Sequence, residues 1–473
     1  MQTLEPADLL IEARWVLPVA PRPAALTNHA VAVAHGRIAA IGPASEVAAR
    51  FAADERIALP DHALIPGLVN AHTCVSQLLA RGRGLAAPRF ATNCPELAAG
   101  AAASPRAVGV ELTAADVRGV ADGAAAPWRE QPPRLDSAWV QADLVRDCAQ
   151  LAAAEMLRSG ITAFGSRDPW PEEVARVAAC ARMRAAVGLP VTERATAWAD
   201  GVTAHLAKAE SLWDEYKADP WVCLHFAPDA ADVSSDEVLA RVRTIADELD
   251  ARIAMPVHET TQEIERHAAQ YGVRPLRRLD GLGLLSPGFT AFYLNRIDEA
   301  EIELLTRKGI AVAACPQASL RRGLGCCALG ALVQRGVPVG LGTGSPAATF
   351  SLDVLAEARA AALAASSQRR TPEALGAHGA LELATLGGAA ALGLKAVAGS
   401  IEPGKAADLV AIDLSDLACG PMDDPAEAIV FGASRDRVTH VWINGTPRVA
   451  LRRLLAFDEA ELAAIARRWE GRP

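Results

Sequence analysis

The chain has 473 residues, a hydrophobic fraction of 51% and a mean hydropathy of +0.15, enough for one large core with a satellite domain beside it. A net charge of -9 and a pI near 5.7, with no basic stripe or Lys/Arg cluster, argue against nucleic acid or an anionic membrane as a partner. Met1–Asp8 lacks a basic segment followed by an apolar one, so no signal peptide is expected, and no apolar run approaches the roughly 18 residues that span a bilayer. Nine cysteines scattered without CxxC pairing point to reduced thiols and a cytoplasmic protein.

In chain order, Leu9–Val19 is an apolar run of β character. Ala30–Ala34 and Arg37–Ile41 flank His35-Gly36 as a hairpin. Apolar β-like runs then alternate with longer helical segments. The runs are Ala63–Val69, Thr162–Phe164, Ala185–Pro190, Val222–Phe226, Arg252–Val257, Phe289–Leu294, Ile310–Ala314 and Pro338–Leu341; the helical segments include Gln141–Ser159, Asp236–Leu249 and Glu299–Lys308. About eight such βα units over ~280 residues are the signature of a (β/α)8 barrel. A doubly wound sheet would show a Gly-rich phosphate loop after an early strand, and none is there. Leu85–Leu135, rich in Ala, Pro and Gly, follows the first barrel strand and is expected to be a partly irregular insertion or lid over the barrel mouth.

The C-terminal part returns to short strands: Ala407–Ile412, Val438–Ile443 and Arg448–Leu451. Asn444-Gly445-Thr446 matches a glycosylation sequon, but between two apolar runs Asn-Gly reads as a hairpin turn. Asp458–Trp469 is a helix with Asp458 as N-cap. The expected fold is therefore α/β: a TIM-like barrel over residues 65–397, a small flanking β-sandwich built from both termini (1–64 and 398–455), and a C-terminal helix over 456–473.

Leu64-Ile65-Pro66-Gly67-Leu68-Val69-Asn70-Ala71-His72-Thr73-Cys74 resembles the amidohydrolase superfamily. More narrowly the chain resembles its TRZ/ATZ group, which includes the S-adenosylhomocysteine and methylthioadenosine deaminases. Ala154–Thr162, Val257-His258-Glu259-Thr260, Arg274-Pro275-Leu276, Leu341-Gly342-Thr343 and Gly399–Val410 carry the likeness across nearly the whole chain. The resemblance implies a TIM-like barrel and hydrolysis of a non-peptide C–N bond in a ring-bearing substrate. It implies one divalent metal, zinc or iron, at the C-terminal mouth of the barrel, which lowers the pKa of a bound water toward ~7, and a Glu that shuttles protons.

The resemblance also places each ligand. The first His of the family's His-x-His is His72, and the second is Cys74, a residue that as thiolate binds zinc well. The strand-5 ligand position is Pro256, the strand-6 position Tyr293 and the strand-8 Asp position Gly344. The catalytic Glu is Glu259. Asp229 stands where the family has a substrate-contacting His, which makes Asp229, His258 and Tyr293 the candidate substrate-binding residues. His258, two positions from Pro256 along a regular strand, shares its face and is a candidate to approach the site.

Each residue also has a plainer reading. His72 is a core or loop histidine, Cys74 a small buried hydrophobe, Glu259 a salt-bridged or capping residue, and Tyr293 a plug in the space a metal would fill. Asp232 suits an N-cap ahead of the helix starting near Ser235, and Arg167-Asp168 a local surface pair. A His and a Cys are two ligands where a catalytic zinc takes three from protein. The expectation is thus a deaminase-related protein with a degenerate metal site and no cofactor, in a binding or partner-subunit role, as a homo-oligomer or beside an active paralogue. The alternative is an active deaminase whose site is rebuilt from His72, Cys74, His258 and Glu259.

Overall fold

The computed structural model describes residues 4–21, 23–81 and 140–470; the expected insertion or lid over 85–135 lies outside the described residues. Two eight-stranded sheets organise the chain. The first is built from both termini: β1 (Glu5–Val16), β2 (Leu26–Ala34), β3 (Arg37–Pro43) and β4 (Phe51–Pro66) from the N-terminal part. The second runs through β5 (Leu68–Thr73), β6 (Ile161–Ser166), β7 (Arg184–Val191), β8 (Val222–Pro228), β9 (Arg252–Val257), β10 (Phe289–Tyr293), β11 (Ala311–Ala314) and β12 (Val339–Leu341). The first sheet is completed by β13 (Leu409–Asp413), β14 (Val438–Ile443), β15 (Thr446–Ala450) and β16 (Arg453–Leu454).

The terminal sheet is a single sheet in the order β16-β15-β14-β13-β4-β1-β2-β3. Its residues alternate between two apolar clusters. Leu9, Ile11, Val31, Val33, Leu64, Leu409 and Trp442 form one, and Leu10, Ala30, Ala32, Val47 and Phe51 form the other. Period-two patterning does this: neighbours along a strand face opposite sides. Three hairpin turns use left-handed backbone, His35 (φ 53°) with Gly36 (φ 72°), Asn444 (φ 48°) with Gly445 (φ 69°) and Leu451 (φ 48°) with Arg452 (φ 68°), as turns matched to strand twist require.

The second sheet is a parallel barrel in sequential order β5 to β12. It closes where Gly344, just past β12, bridges Thr73: the Gly344 N–H donates to His72 O at 2.9 Å and the Cys74 N–H to Gly344 O at 3.3 Å. Helices lie between successive strands, among them Ala142–Arg158, Asp236–Leu249, Thr261–Tyr271 and Glu299–Lys308. The α/β architecture read from the sequence, a TIM-like barrel with a β domain from both termini, is the one observed, and the expected small β-sandwich is a single eight-stranded sheet. Among the described residues no helix is long and apolar enough to cross a membrane.

Two details differ from the sequence reading. The apolar run Ala63–Val69 looks like one strand, yet Gly67 divides it: β4 ends at Pro66 in the terminal sheet and β5 begins at Leu68 in the barrel. A Cβ at Gly67 would lie 2.0 Å from Thr162 Oγ1, so only glycine lets the chain cross from one sheet to the other here. The helix Asp236–Leu249 is capped by the Ser235 hydroxyl, which accepts from the Val238 N–H. Asp232 instead pairs with Arg266 at 2.6 Å.

The two sheets are joined by a buried ion pair. Arg184, at the start of β7, donates through Nε to Asp408 Oδ2 at 2.7 Å, with side-chain exposures of 7% and 1%. The other carboxylate oxygen accepts from the Asn444 N–H at 2.9 Å, and the Asn444 side chain accepts from Arg184. Every polar group of this seam that the pair involves has a partner, which is the condition for burying charge.

Candidate active site at the barrel mouth

The strands deliver their C-terminal ends to one mouth, where catalytic residues of such barrels gather. His72, near the end of β5, is 2% exposed. Its ring stacks on Phe292 with centroids 3.9 Å apart and 15° between planes, and meets the Tyr293 ring edge-on at 5.6 Å. Its Nδ1 has no hydrogen-bond partner among the described residues. Burial, with the nearby charge of Arg167, pulls its pKa down to about 3, so the ring is neutral at neutral pH. Gly342 makes this packing possible: a Cβ there would lie 2.7 Å from both the N and O of His72.

Around His72 lie Cys74, Tyr293, Cys315 and Glu259. Tyr293 and Cys315 pack in one cluster with Phe292, and the Glu259 charge is felt at the thiols of Cys74 and Cys315 and at the Tyr293 phenol. Burial, with those carboxylates, pushes both thiols and the phenol above their ordinary values. None is a ready nucleophile, because the thiolate rather than the thiol reacts. Glu259 is salt-bridged to Arg322, and its carbonyl accepts from Asn295 Nδ2 at 3.0 Å.

A second charged group flanks the first. Asp229, just past β8, pairs with Arg167 Nη2 at 2.6 Å and lies 3.7 Å from Arg194 Nη2. Asp168 is not half of a surface pair with Arg167. It is 2% exposed and accepts from the Val75 and Ser76 N–H groups at 3.2 and 2.8 Å and from Ser76 Oγ at 2.6 Å. It thereby caps the short 3-10 helix Val75–Ala80. Burial raises its pKa to about 6 despite these donors. A carboxylate placed next to an Arg gave the surface reading; the capping role depends on a segment some 90 residues away, as the register of its hydrogen bonds shows.

His258 is not in the mouth. The expectation that it shares a face with Pro256 assumed regular strand geometry, but β9 ends at Val257 and His258 has φ 54°. This left-handed residue breaks the alternation and turns the imidazole into the helical layer, fully buried, with Nδ1 3.7 Å from Glu301 Oε2. Burial and the charge of Arg274 pull its pKa to about 3. Glu263 holds the backbone there, accepting from the His258 and Glu259 N–H groups at 2.9 and 2.7 Å. The set His72, Cys74, His258 and Glu259 is therefore not assembled. Tyr293 (φ 72°) and Leu294 (φ 49°) make a similar left-handed step at the end of β10. Pro256 and Phe292 are register partners between β9 and β10.

Sequence reasoning missed Phe292, Arg322, Cys315 and Glu357. Glu357 is fully buried beneath the mouth, accepts from the Gln317 N–H and Nε2 at 2.9 and 3.2 Å, and has its pKa pushed up to about 8 by burial. No local motif marks these four; the tertiary fold brings them together.

The chain matches the amidohydrolase family model over residues 63–448, and it belongs to the amidohydrolase family. It is 35% identical over 463 residues to a 5-methylthioadenosine/S-adenosylhomocysteine deaminase from Teredinibacter turnerae, covering 98% of this chain and 97% of the relative. A protein of the same name from Saccharophagus degradans is 33% identical over 471 residues, covering 99% and 98%. Among solved structures, an adenosine deaminase from Xanthomonas campestris with bound zinc superposes with a TM-score of 0.87 at 37% identity, covering 99% of this chain and 98% of that one. The fold is shared with a triazine hydrolase variant at a TM-score of 0.80 and 21% identity, covering 98% and 99%.

The zinc in that solved relative prompts a test of fit. Among the described residues no three His, Cys, Asp or Glu side chains are grouped so as to hold a metal ion. At the mouth, His72 and Cys74 are the two candidate donors on β5 and its end, while Glu259 is engaged by Arg322. A catalytic zinc takes three protein ligands and an open position, and the described residues by themselves do not supply that set.

Proposed function

We propose that this amidohydrolase-family protein is a diverged relative of the C–N deaminases that binds a small N-heterocyclic molecule at the barrel mouth without metal-assisted hydrolysis. One observation carries the reading. The positions that the family resemblance assigns to metal ligands on strands 5, 6 and 8 are Pro256, Tyr293 and Gly344, and the Tyr293 and Phe292 rings pack against the remaining histidine. The groups left to meet a ligand are the Glu259–Arg322 and Arg167–Asp229 pairs, which offer carboxylate acceptors and guanidinium donors beside aromatic faces. Such groups orient a planar polar ring. The eight free cysteines among the described residues support a reducing, cytoplasmic setting.

The test joins two measurements: elemental analysis of the protein after incubation with zinc or iron and desalting, and ammonia release from 5′-methylthioadenosine, S-adenosylhomocysteine and adenosine. The expected result is metal well below one equivalent and no turnover, with nucleoside binding retained by calorimetry. Stoichiometric metal together with turnover overturns it. The second reading, an active deaminase, is favoured by the full-length similarity to proteins named as deaminases. It requires ammonia release that Glu259→Gln abolishes.

A further inference from the structure

The opposite end of the barrel holds a cavity of about 300 Å³. Its polar lining comes from the N-terminal ends of strands: Cys223 and His225 on β8, Arg252 opening β9, and Thr290 on β10. Phe292 forms its inner wall and Leu392 and Leu394 its outer one. Because Phe292 also stacks on His72, that ring pair separates the cavity from the mouth. Lys217, paired with Asp214 and 58% exposed in its side chain, stands at the rim and marks where the cavity reaches the surface.

Two polar groups here lack a charged partner among the described residues. Arg252 forms no ion pair with a carboxylate among the described residues. Its guanidinium donates only to neutral oxygens at long range: Thr290 Oγ1 at 3.2 Å and the carbonyls of Pro287 and Ala391, each at 3.4 Å. Burial pulls its pKa below the ordinary arginine value. His225 is 6% exposed and its Nε2 has no hydrogen-bond partner among the described residues. A partly desolvated guanidinium with only neutral acceptors among the described residues gains from an anionic partner. Asp219 and Asp250 also line the rim, and would repel a dianion.

We infer that this floor cavity is a binding site for a small monocarboxylate with an aromatic or short aliphatic body, its carboxylate on Arg252 and its body against Phe292, Leu392 and Leu394. A planar carboxylate matches the guanidinium fork, and the volume suits a body of one ring. Nothing in this reading depends on chemistry at the mouth, so it stands or falls apart from the proposed function.

Calorimetry on the full chain with phenylacetate tests it, with phenylacetamide as the neutral isostere and inorganic phosphate as the dianion. Phenylacetate is expected to bind at one equivalent, and both comparison compounds at least tenfold more weakly. Arg252→Met should weaken phenylacetate at least tenfold while Arg252→Lys restores part of the loss. Should Arg252→Met fail to fold, Leu394→Glu, which adds a negative charge to the outer wall, should weaken binding by a similar factor. Cys223 gives the location: saturating phenylacetate should slow its alkylation, read by peptide mass spectrometry, at least fivefold and leave exposed Cys180 unchanged. Absence of phenylacetate binding, equal affinity for the amide, indifference to both kinds of variant, or unslowed alkylation of Cys223 overturns the inference.

Discussion

The seam between the two sheets and the interior of the barrel both bury polar side chains, and they treat them in opposite ways. At the seam, Arg184 Nε, both Asp408 carboxylate oxygens and the Asn444 N–H and side-chain oxygen are hydrogen-bonded to one another. In and around the barrel, among the described residues, His72 Nδ1 and His225 Nε2 have no hydrogen-bond partner, Arg252 has no counter-ion, and the buried Glu357 carboxylate accepts from Gln317. Buried polar groups in native proteins are nearly always paired, so an unpaired one calls for an explanation. The seam needs none beyond fixing the terminal unit on the barrel. The interior is where ligand chemistry is to be sought, and its two ends are separated by the Phe292–His72 stack.

The strongest way to break the seam is Asp408→Ala. It leaves the Arg184 guanidinium buried without a counter-ion, and the expected loss is about 3–5 kcal/mol of unfolding free energy. Urea denaturation reads it, and a loss below about 1 kcal/mol would mean the pair is not what joins the sheets.

The interior carries a group that responds to pH. Glu357 has a folded pKa near 8 against an ordinary 4.5. The folded state keeps a proton that the unfolded chain gives up. Its stabilising contribution is therefore full below pH 4.5 and is lost as pH rises toward 8. Glu357→Gln removes the titration. Relative to that variant, the wild type should lose on the order of 1 kcal/mol of stability per pH unit across pH 5 to 8. Parallel stability curves for the two proteins would contradict this.

A third change sharpens the contrast through the backbone. Gly342→Ala places a methyl 2.7 Å from the His72 N and O, and overpacking of this kind costs about 1–3 kcal/mol. Because the clash is at the mouth, nucleoside binding measured by calorimetry should fall along with the melting temperature; unchanged binding would detach His72 from the site. The smallest effect belongs to a pair outside both regions. Arg158–Glu459 at 2.5 Å has both side chains about half exposed, and Glu459→Ala should change stability by less than about 1 kcal/mol. A larger change would show the C-terminal helix to be more tightly coupled to the barrel than its exposed pair implies.

Much of the architecture was legible along the chain. The runs Arg252–Val257, Val438–Ile443, Asp236–Leu249 and Glu299–Lys308 coincide with observed elements, because their periodicity of two or near 3.6 is a local property of the side chains. The Asn-Gly turn and the Asp458 cap were equally local. The motif from Leu64 to Cys74 and the position of Glu259 identified the family from residue identity alone. Tertiary structure decided the rest. Gly67 splits an apolar run between two sheets because Thr162 leaves no room for a Cβ. The left-handed residues His258 and Tyr293 reset which way the β9 and β10 ends point. Asp168 and Asp229 acquire their partners from segments distant in sequence. Periodicity reports a strand's faces only while the backbone stays regular. At strand ends, where the candidate site lies, a single residue with positive φ reverses the assignment, and long-range packing alone fixes that angle.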